Sequence, residues 1–242
     1  MNLPLFVQET LLTHPVVVAA SSALGDGIDL INRFEHGCFA LVETGFLPQL
    51  TGYKVDAGCG ISLRDAGLAR FFSPVRPDQL DDPVVRLQTA SLTTELLARA
   101  TLPGYFGFTP SAWVTDAGQP YDAIVLDEIA GISPTESEFA EDLSRAWFVL
   151  TGTPFVSHIV AVPEGASADN REAVTNLIHA GFEGDLSRTR AFAVEQGADP
   201  TLIDAVLADV ASVLTGDERL AIPELFRRCG LNTGFGSVDW TT

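Results

Sequence analysis

The sequence predicts an α/β protein with a mostly parallel sheet, organised as two lobes. Short apolar strands alternate with helical patterns along the chain, the mark of strand–helix–strand construction. One α/β block comes first, a second fills the middle and a helical tail comes last, as expected for a chain that crosses to a second lobe and returns. The stretch D-L-S-R-A-W-F-V-L-T-G-T-P-F-V-S-H-I-V-A-V-P-E-G, Asp142 to Gly165, sets a helix directly against a long apolar strand, which suits the return crossing. The crossings are expected at Ala66–Pro74 and Pro154–Pro163. Lobe I then covers 1–73 and 158–242, and lobe II covers 74–157.

The elements follow in order. H-P-V-V-V-A-A reads as a strand, and Asp26 to Phe34 as a helix ending near His36-Gly37. C-F-A-L-V is a strand, and A-G-L-A-R-F-F-S another, closed by Pro74. V-V-R-L follows the turn signal D-D-P, and Leu92 to Ala100 is a helix. Y-F-G-F and Y-D-A-I-V-L are strands. In the next helix Leu143, Ala146, Trp147 and Leu150 share one face. Gly152 stands where a left-handed residue ends a helix, and Pro154 prevents continuation. Phe155 to Val162 is a buried strand interrupted by Ser157 and His158. Helices are expected at Arg171–Ala180, Leu186–Gln196, Pro200–Leu214 and Ile222–Cys229.

Composition narrows the function. A chain of 242 residues with 46% hydrophobic content can bury a full core. A net charge of −18 argues against nucleic acid and anionic membrane surfaces, which reward basic patches. Cys38, Cys59 and Cys229 are odd in number and scattered, fitting neither a disulfide framework nor a zinc site. P-V-V-V-A-A-S-S-A has the small and apolar residues of a leader. However, Glu9 precedes it and no basic residue comes before Arg33, so a signal peptide is not expected. With reduced thiols, this gives a cytoplasmic expectation. No apolar run reaches the ~18 residues of a membrane span.

Three places carry candidate chemistry. In R-L-Q-T-A-S-L-T-T-E-L-L, Thr89, Ser91, Thr93 and Thr94 crowd a strand-to-helix junction. Free N–H groups and the positive dipole end make it a seat for a carboxylate or phosphate. The plainer reading is that Ser and Thr cap helices. Y-D-A-I-V-L-D-E-I-A ends a strand in Asp127 and Glu128, where α/β sheets place ligands; a solvated loop pair is the alternative. Val42-Glu43-Thr44 ends C-F-A-L-V by the same logic. His14, His36, His158 and His179 have no partner at metal-ligand spacing. His158 interrupts an apolar strand, as a core or cleft histidine or as a catalytic one. No phosphate loop, dinucleotide fingerprint or nucleophile elbow is present.

D-L-S-R-A-W-F-V-L-T-G-T-P-F-V resembles the chorismate dehydratases of menaquinone biosynthesis, whose helix ending D-L-x-x-x-W-x-x-L-T-G-x-P-F-V leads into the return strand. L-Q-T-A-S-L-T-T-E-L-L, Y-D-A-I-V-L, R-F-E-H-G-C-F-A-L-V, G-I-S-L-R-D-A-G-L-A-R-F-F-S and M-N-L-P-L resemble further segments of that family, in the same order. The resemblance implies a two-lobed architecture of the periplasmic-binding-protein type II kind with a ligand cleft between lobes. It implies a cytoplasmic carbon–oxygen lyase of the futalosine route, dehydrating chorismate to an enolpyruvyl-oxybenzoate without metal or cofactor. Asn2, Ser91 and His158 are the expected catalytic residues. Glu43, Thr44, Thr89, Thr93, Thr94, Asp127 and Phe155 are expected to bind a carboxylated aromatic or cyclohexadiene ring. A monomer or homodimer is expected.

The sequence departs from that family at telling positions. The family's first strand is expected to be largely absent ahead of Asn2. Asp127-Glu128-Ile129 stands for Ile-Gly-Asp, Glu43-Thr44 for Ser-Ser, and Leu68 for a serine. Like charges ~4 Å apart at an effective dielectric near 20 cost about 4 kcal/mol, so the added carboxylates oppose a dianion. The competing expectation is therefore a non-catalytic small-molecule binding protein, or a diverged paralogue with a less anionic ligand.

Overall fold

The computed structural model describes residues 2–22, 27–133, 137–230 and 238–241. β1 (Leu3–Val7) leads into α1 (His14–Ala20), followed by β2 (Ile28–Ile31), β3 (Phe39–Glu43) and the long β4 (Tyr53–Leu63). The middle holds β5 (Arg70–Ser73), β6 (Val84–Gln88), α2 (Leu92–Thr101), β7 (Ala112–Val114), β8 (Ala123–Leu126), α3 (Glu128–Gly131) and β9 (Phe139–Asp142). Then come α4 (Leu143–Thr151), β10 (Phe155–Pro163), α5 (Ala168–Glu183), α6 (Ser187–Glu195), α7 (Pro200–Asp209), β11 (Ala211–Val213) and α8 (Gly216–Arg228).

The strands form two sheets, ordered β11-β4-β10-β3-β1-β2 and β7-β6-β8-β5-β9. Sheet membership changes between Leu63 and Arg70, ahead of the boundary expected after 73, and changes back between Asp142 and Phe155, ahead of 158. The sheets are mixed rather than mostly parallel. β1, β2 and β3 run parallel, as do β6, β7 and β8, whereas β10 runs antiparallel to β3 and β4, and β5 antiparallel to β8 and β9. The physical reason is direction of entry: a strand arriving from the other sheet comes in against the local strands.

The outward crossing is held by a carboxylate. Asp209 Oδ2 accepts from the amides of Arg64, Asp65 and Ala66 at 2.6, 2.9 and 3.1 Å. On the return, Asp142 caps α4 by accepting from the Ser144 and Arg145 amides. Gly152, at φ 75°, ends the helix as its sequence position predicts. Trp147 and Leu143 are fully buried in a core shared by α2, α4, β10 and α8.

Local sequence misleads in four places. His14–Ala20 is a helix, not a strand. Pro15 is pre-organised for the first turn, and Val16 and Ala19 bury against α5. A Cβ on Gly181 of α5 would lie 3.0 Å from the Pro15 carbonyl, so glycine is what lets those helices approach. The expected helix of Asp26 to Phe34 is instead β2, paired with β1; Asp26 itself lies outside the described residues. Y-F-G-F is no strand: Leu102–Phe106 forms a π-type turn, and the rings of Phe106 and Phe108 pack tilted against Phe71. Pro200–Leu214 divides into α7 and β11. The first strand, expected to be largely absent, is present as β1 between β2 and β3.

Candidate functional site

Both sheets send polar side chains into one cavity. From the first sheet come Glu43, at the end of β3, and Ser157, His158 and Phe155 of β10; Glu43 and His158 are cross-strand partners. From the second come Asp127 and Glu128, at the end of β8, with Ser91, Thr93 and Thr94 at the start of α2 and Ser144 at the start of α4. Leu12, Leu63, Leu68 and Ala69 supply apolar wall. The cavity measures about 20 Å³, room for about one water molecule. A ligand of organic size therefore enters only if the sheets separate. Beside the cavity two hydrogen bonds join the lobes: the Leu11 amide donates to Glu128 Oε2 at 2.7 Å, and the Gly45 amide to Thr93 Oγ1 at 2.8 Å.

Parallel strands β6 and β8 end side by side in left-handed residues, Thr89 at φ 57° and Glu128 at φ 55°. Such a turn is costly for residues other than glycine, and most of all for a β-branched one. It reverses the chain sharply enough to bring the starts of α2 and α3 to the cavity.

Three carboxyl groups dominate the electrostatics. Asp127 is buried; it accepts from the Thr94 hydroxyl in a short hydrogen bond and from the Glu128 amide at 2.7 Å. Burial raises its pKa, opposed by those bonds and by Ser91. Glu43 is raised by burial, opposed by Ser91 and Thr93 and reinforced by the charge of Asp127. Glu128 is pushed to about 8 by burial, then by the charges of Asp127 and Glu43, although the Leu11 amide favours its ionised form. His158, buried, is pushed down to about 3 by burial. Its Nε2 lies 3.2 Å from Thr10 Oγ1 and its Nδ1 3.0 Å from Ser157 Oγ. Ser157 Oγ donates to the Ile61 carbonyl, so Nδ1 carries the proton and Nε2 accepts. Among the described residues no Lys or Arg lines the cavity.

Two polar atoms here lack a partner. Glu43 Oε2 and Ser144 Oγ are fully buried without a hydrogen bond, on residues only 6% and 1% exposed. Buried polar atoms are nearly always paired, so each calls for an explanation.

The expected site residues divide cleanly. Ser91, Thr93, Thr94, Glu43, Asp127, Phe155 and His158 meet at the cavity. Asn2 does not: it is exposed and donates to Asp29 Oδ1 at 2.7 Å. Thr89 is exposed, with its hydroxyl on the Gln88 carbonyl. Thr44 is buried but turned to the Val156 carbonyl, at 2.8 Å. These three are corrections. Asn2 precedes an outer strand pair, and Thr89 and Thr44 spend their hydroxyls on the backbone. Ser91 caps α2 by accepting from the Thr94 amide at 3.2 Å, so the capping reading holds for it. Glu128 was visible in the Asp-Glu pair ending β8. Ser157 was visible as a break in an apolar strand. Ser144 and Leu12 carried no signal. Among the described residues no group of three or more His, Cys, Asp or Glu could hold a metal ion.

No protein-family model matches the chain, and no curated protein matches it. Its likeness is to solved structures. A crystal structure of an ABC transporter from Parabacteroides distasonis shares 13% identity over 98% of this chain and 96% of its own, at a TM-score of 0.66. Protein AF1704 from Archaeoglobus fulgidus shares 12% identity over 95% and 98%, at 0.64. The Candida albicans CA3427 gene product, described as having the generic periplasmic binding protein fold, shares 10% over 99% and 92%, at 0.58. At such identities the likeness speaks to fold alone: the chain has the two-sheet α/β fold of periplasmic binding proteins, with its polar cavity between the sheets.

Proposed function

We propose that this chain is a small-molecule binding protein that encloses its ligand between the two sheets, at the cavity of Glu43, Asp127, Glu128, Phe155 and His158. The observation that carries this reading is the pair of buried atoms without partners among the described residues, Glu43 Oε2 and Ser144 Oγ, on residues that line one cavity. A buried carboxylate oxygen on a cavity wall is a place where a bound group can supply the missing donor. Two interlobe hydrogen bonds beside the cavity, Leu11 to Glu128 and Gly45 to Thr93, close the site.

A second reading is the lyase acting on chorismate. Glu128, with a pKa of about 8, can carry a proton in either direction near neutral pH, as a general acid–base requires. Against it stands the lining. A carboxylated ring would meet three carboxyl groups and no cationic side chain. The N-terminus of α2, expected to seat the ligand carboxylate, already faces the protein's own Glu43 and Asp127.

Native mass spectrometry of the purified protein, followed by heat-shift titration with the molecules recovered, tests the first reading. A bound small molecule lost in Phe155→Ala supports it; binding unchanged in both Phe155→Ala and His158→Ala contradicts it. Incubation with chorismate, with the dehydrated aromatic product followed by chromatography, tests the second. Turnover abolished by Glu128→Gln would establish it, and absence of product from folded protein would remove it.

A further inference from the structure

We propose that the ligand is a small organic cation, its ammonium group seated between Glu43, Asp127 and Ser144 and its apolar body against Phe155, Leu68 and Leu12. This rests on the binding role of the cavity proposed above. Five observations converge on it. Glu43 and Asp127 come from opposite sheets, so an ammonium between them is gripped only when the sheets are closed. Glu43 Oε2 and Ser144 Oγ, both buried, have lone pairs that meet no donor among the described residues, and an ammonium offers three donors. No positive side chain lines the cavity to compete, and His158 has its Nε2 turned to Thr10. The helix start that would attract an anion is met by carboxyls of the protein itself. The net charge of −18 draws cations toward the molecule at long range. A bare metal ion is the poorer fit, because no cluster of ligating side chains has metal-holding geometry among the described residues.

The route in is also suggested by geometry. Glu128 and the segment Thr10–Leu12 separate the cavity from an outer groove of about 450 Å³, walled by Val17, Ile129 and the stacked rings of His14 and Phe192. Opening the Leu11–Glu128 bond joins the two spaces.

Titration calorimetry with three matched probes tests the inference: 2-phenylethylamine, 2-phenylethanol and 3-phenylpropanoate. The amine is expected to bind best. Glu43→Gln, which keeps shape and removes charge, is expected to weaken amine binding about ten- to hundredfold. Ser144→Ala should weaken it less. Amine binding should release protons, seen as a buffer-dependent heat, and tighten from pH 6 to pH 8. Across that range Glu128 ionises beside Glu43 and Asp127, while His158 stays neutral. Alcohol binding as tightly as amine, with both lost in Phe155→Ala, would overturn the cation inference and leave the binding role standing. Preference for the carboxylate would overturn the inference in favour of an anion site. Binding of none of the three at millimolar concentration would also overturn it, and a recovered native ligand would then decide the binding role separately.

Discussion

Two buried carboxyl groups face one cavity, and they differ in how fully their oxygens are paired. Asp127, on the second sheet, accepts from the Thr94 hydroxyl and the Glu128 amide. Glu43, on the first, is met by Ser91 and Thr93 of the other lobe, yet its Oε2 is buried without a hydrogen bond among the described residues. The first carboxyl is tied into its own lobe and holds the starts of α2 and α3. The second is held out toward the other lobe. A satisfied buried carboxyl serves architecture, whereas an unsatisfied one serves a partner that completes it.

That contrast can be broken by mutation. Asp127→Ala leaves the Thr94 hydroxyl and the Glu128 amide unpaired and removes a cap. It is expected to destabilise the fold by about 2–4 kcal/mol, read from the denaturant midpoint. A loss no greater than that of a surface substitution would erase the distinction.

The next effect is on pH dependence. A carboxyl whose folded pKa is raised contributes stability that is fully present below its unfolded value and lost as pH rises through its folded value. For Glu128 the window runs from its ordinary 4.5 to about 8, so stability should fall as pH rises across it. Glu128→Gln should flatten that slope, while self-repulsion from the net charge persists in both proteins. Unfolding curves at half-unit pH intervals check this; an unchanged slope would mean that Glu128 is not the titrating group.

Glu43→Gln should behave opposite to Asp127→Ala. Exchanging a buried carboxyl with one unpaired oxygen for a neutral amide should raise stability by about 1 kcal/mol at pH 7 while weakening amine binding about ten- to hundredfold. Matched destabilisation in both variants would show that Glu43 is structural as well. The smallest effect is expected at Thr89. Its left-handed backbone is strained for threonine and its hydroxyl is spent locally, so Thr89→Gly should stabilise by about 0.5 kcal/mol, with binding unchanged.

Much of the site was legible because its residues stand where strands end and helices begin. Glu43, Ser91, Thr93, Thr94 and Asp127 all occupy such junctions, and junction signals are local in sequence. Asn2 failed as a site residue because its place was carried over by resemblance alone, and here the residue ends on the surface beside Asp29. Ser144 and Leu12 were invisible because nothing near them in sequence marks a cavity. They line it only because α4 and the loop after β1 come from opposite sheets.

The same division runs through the fold. Sequence alone determined α2, α4 and the return strand, since their caps, apolar faces and stop signals act within a few residues: Asp142 and Gly152 bracket α4 wherever it is docked. Sequence alone also determined the α/β class. Only the tertiary structure decided that H-P-V-V-V-A-A is a helix, because its β-branched run is overruled by burial against α5 at Gly181. Only the tertiary structure decided which carboxyl is paired and which is left open, because that depends on donors 33 residues away for Asp127, at Thr94, and on the lobe opposite for Glu43. Hydrogen bonding and desolvation are set by what comes near in space, and those groups are near one another only where the two sheets meet.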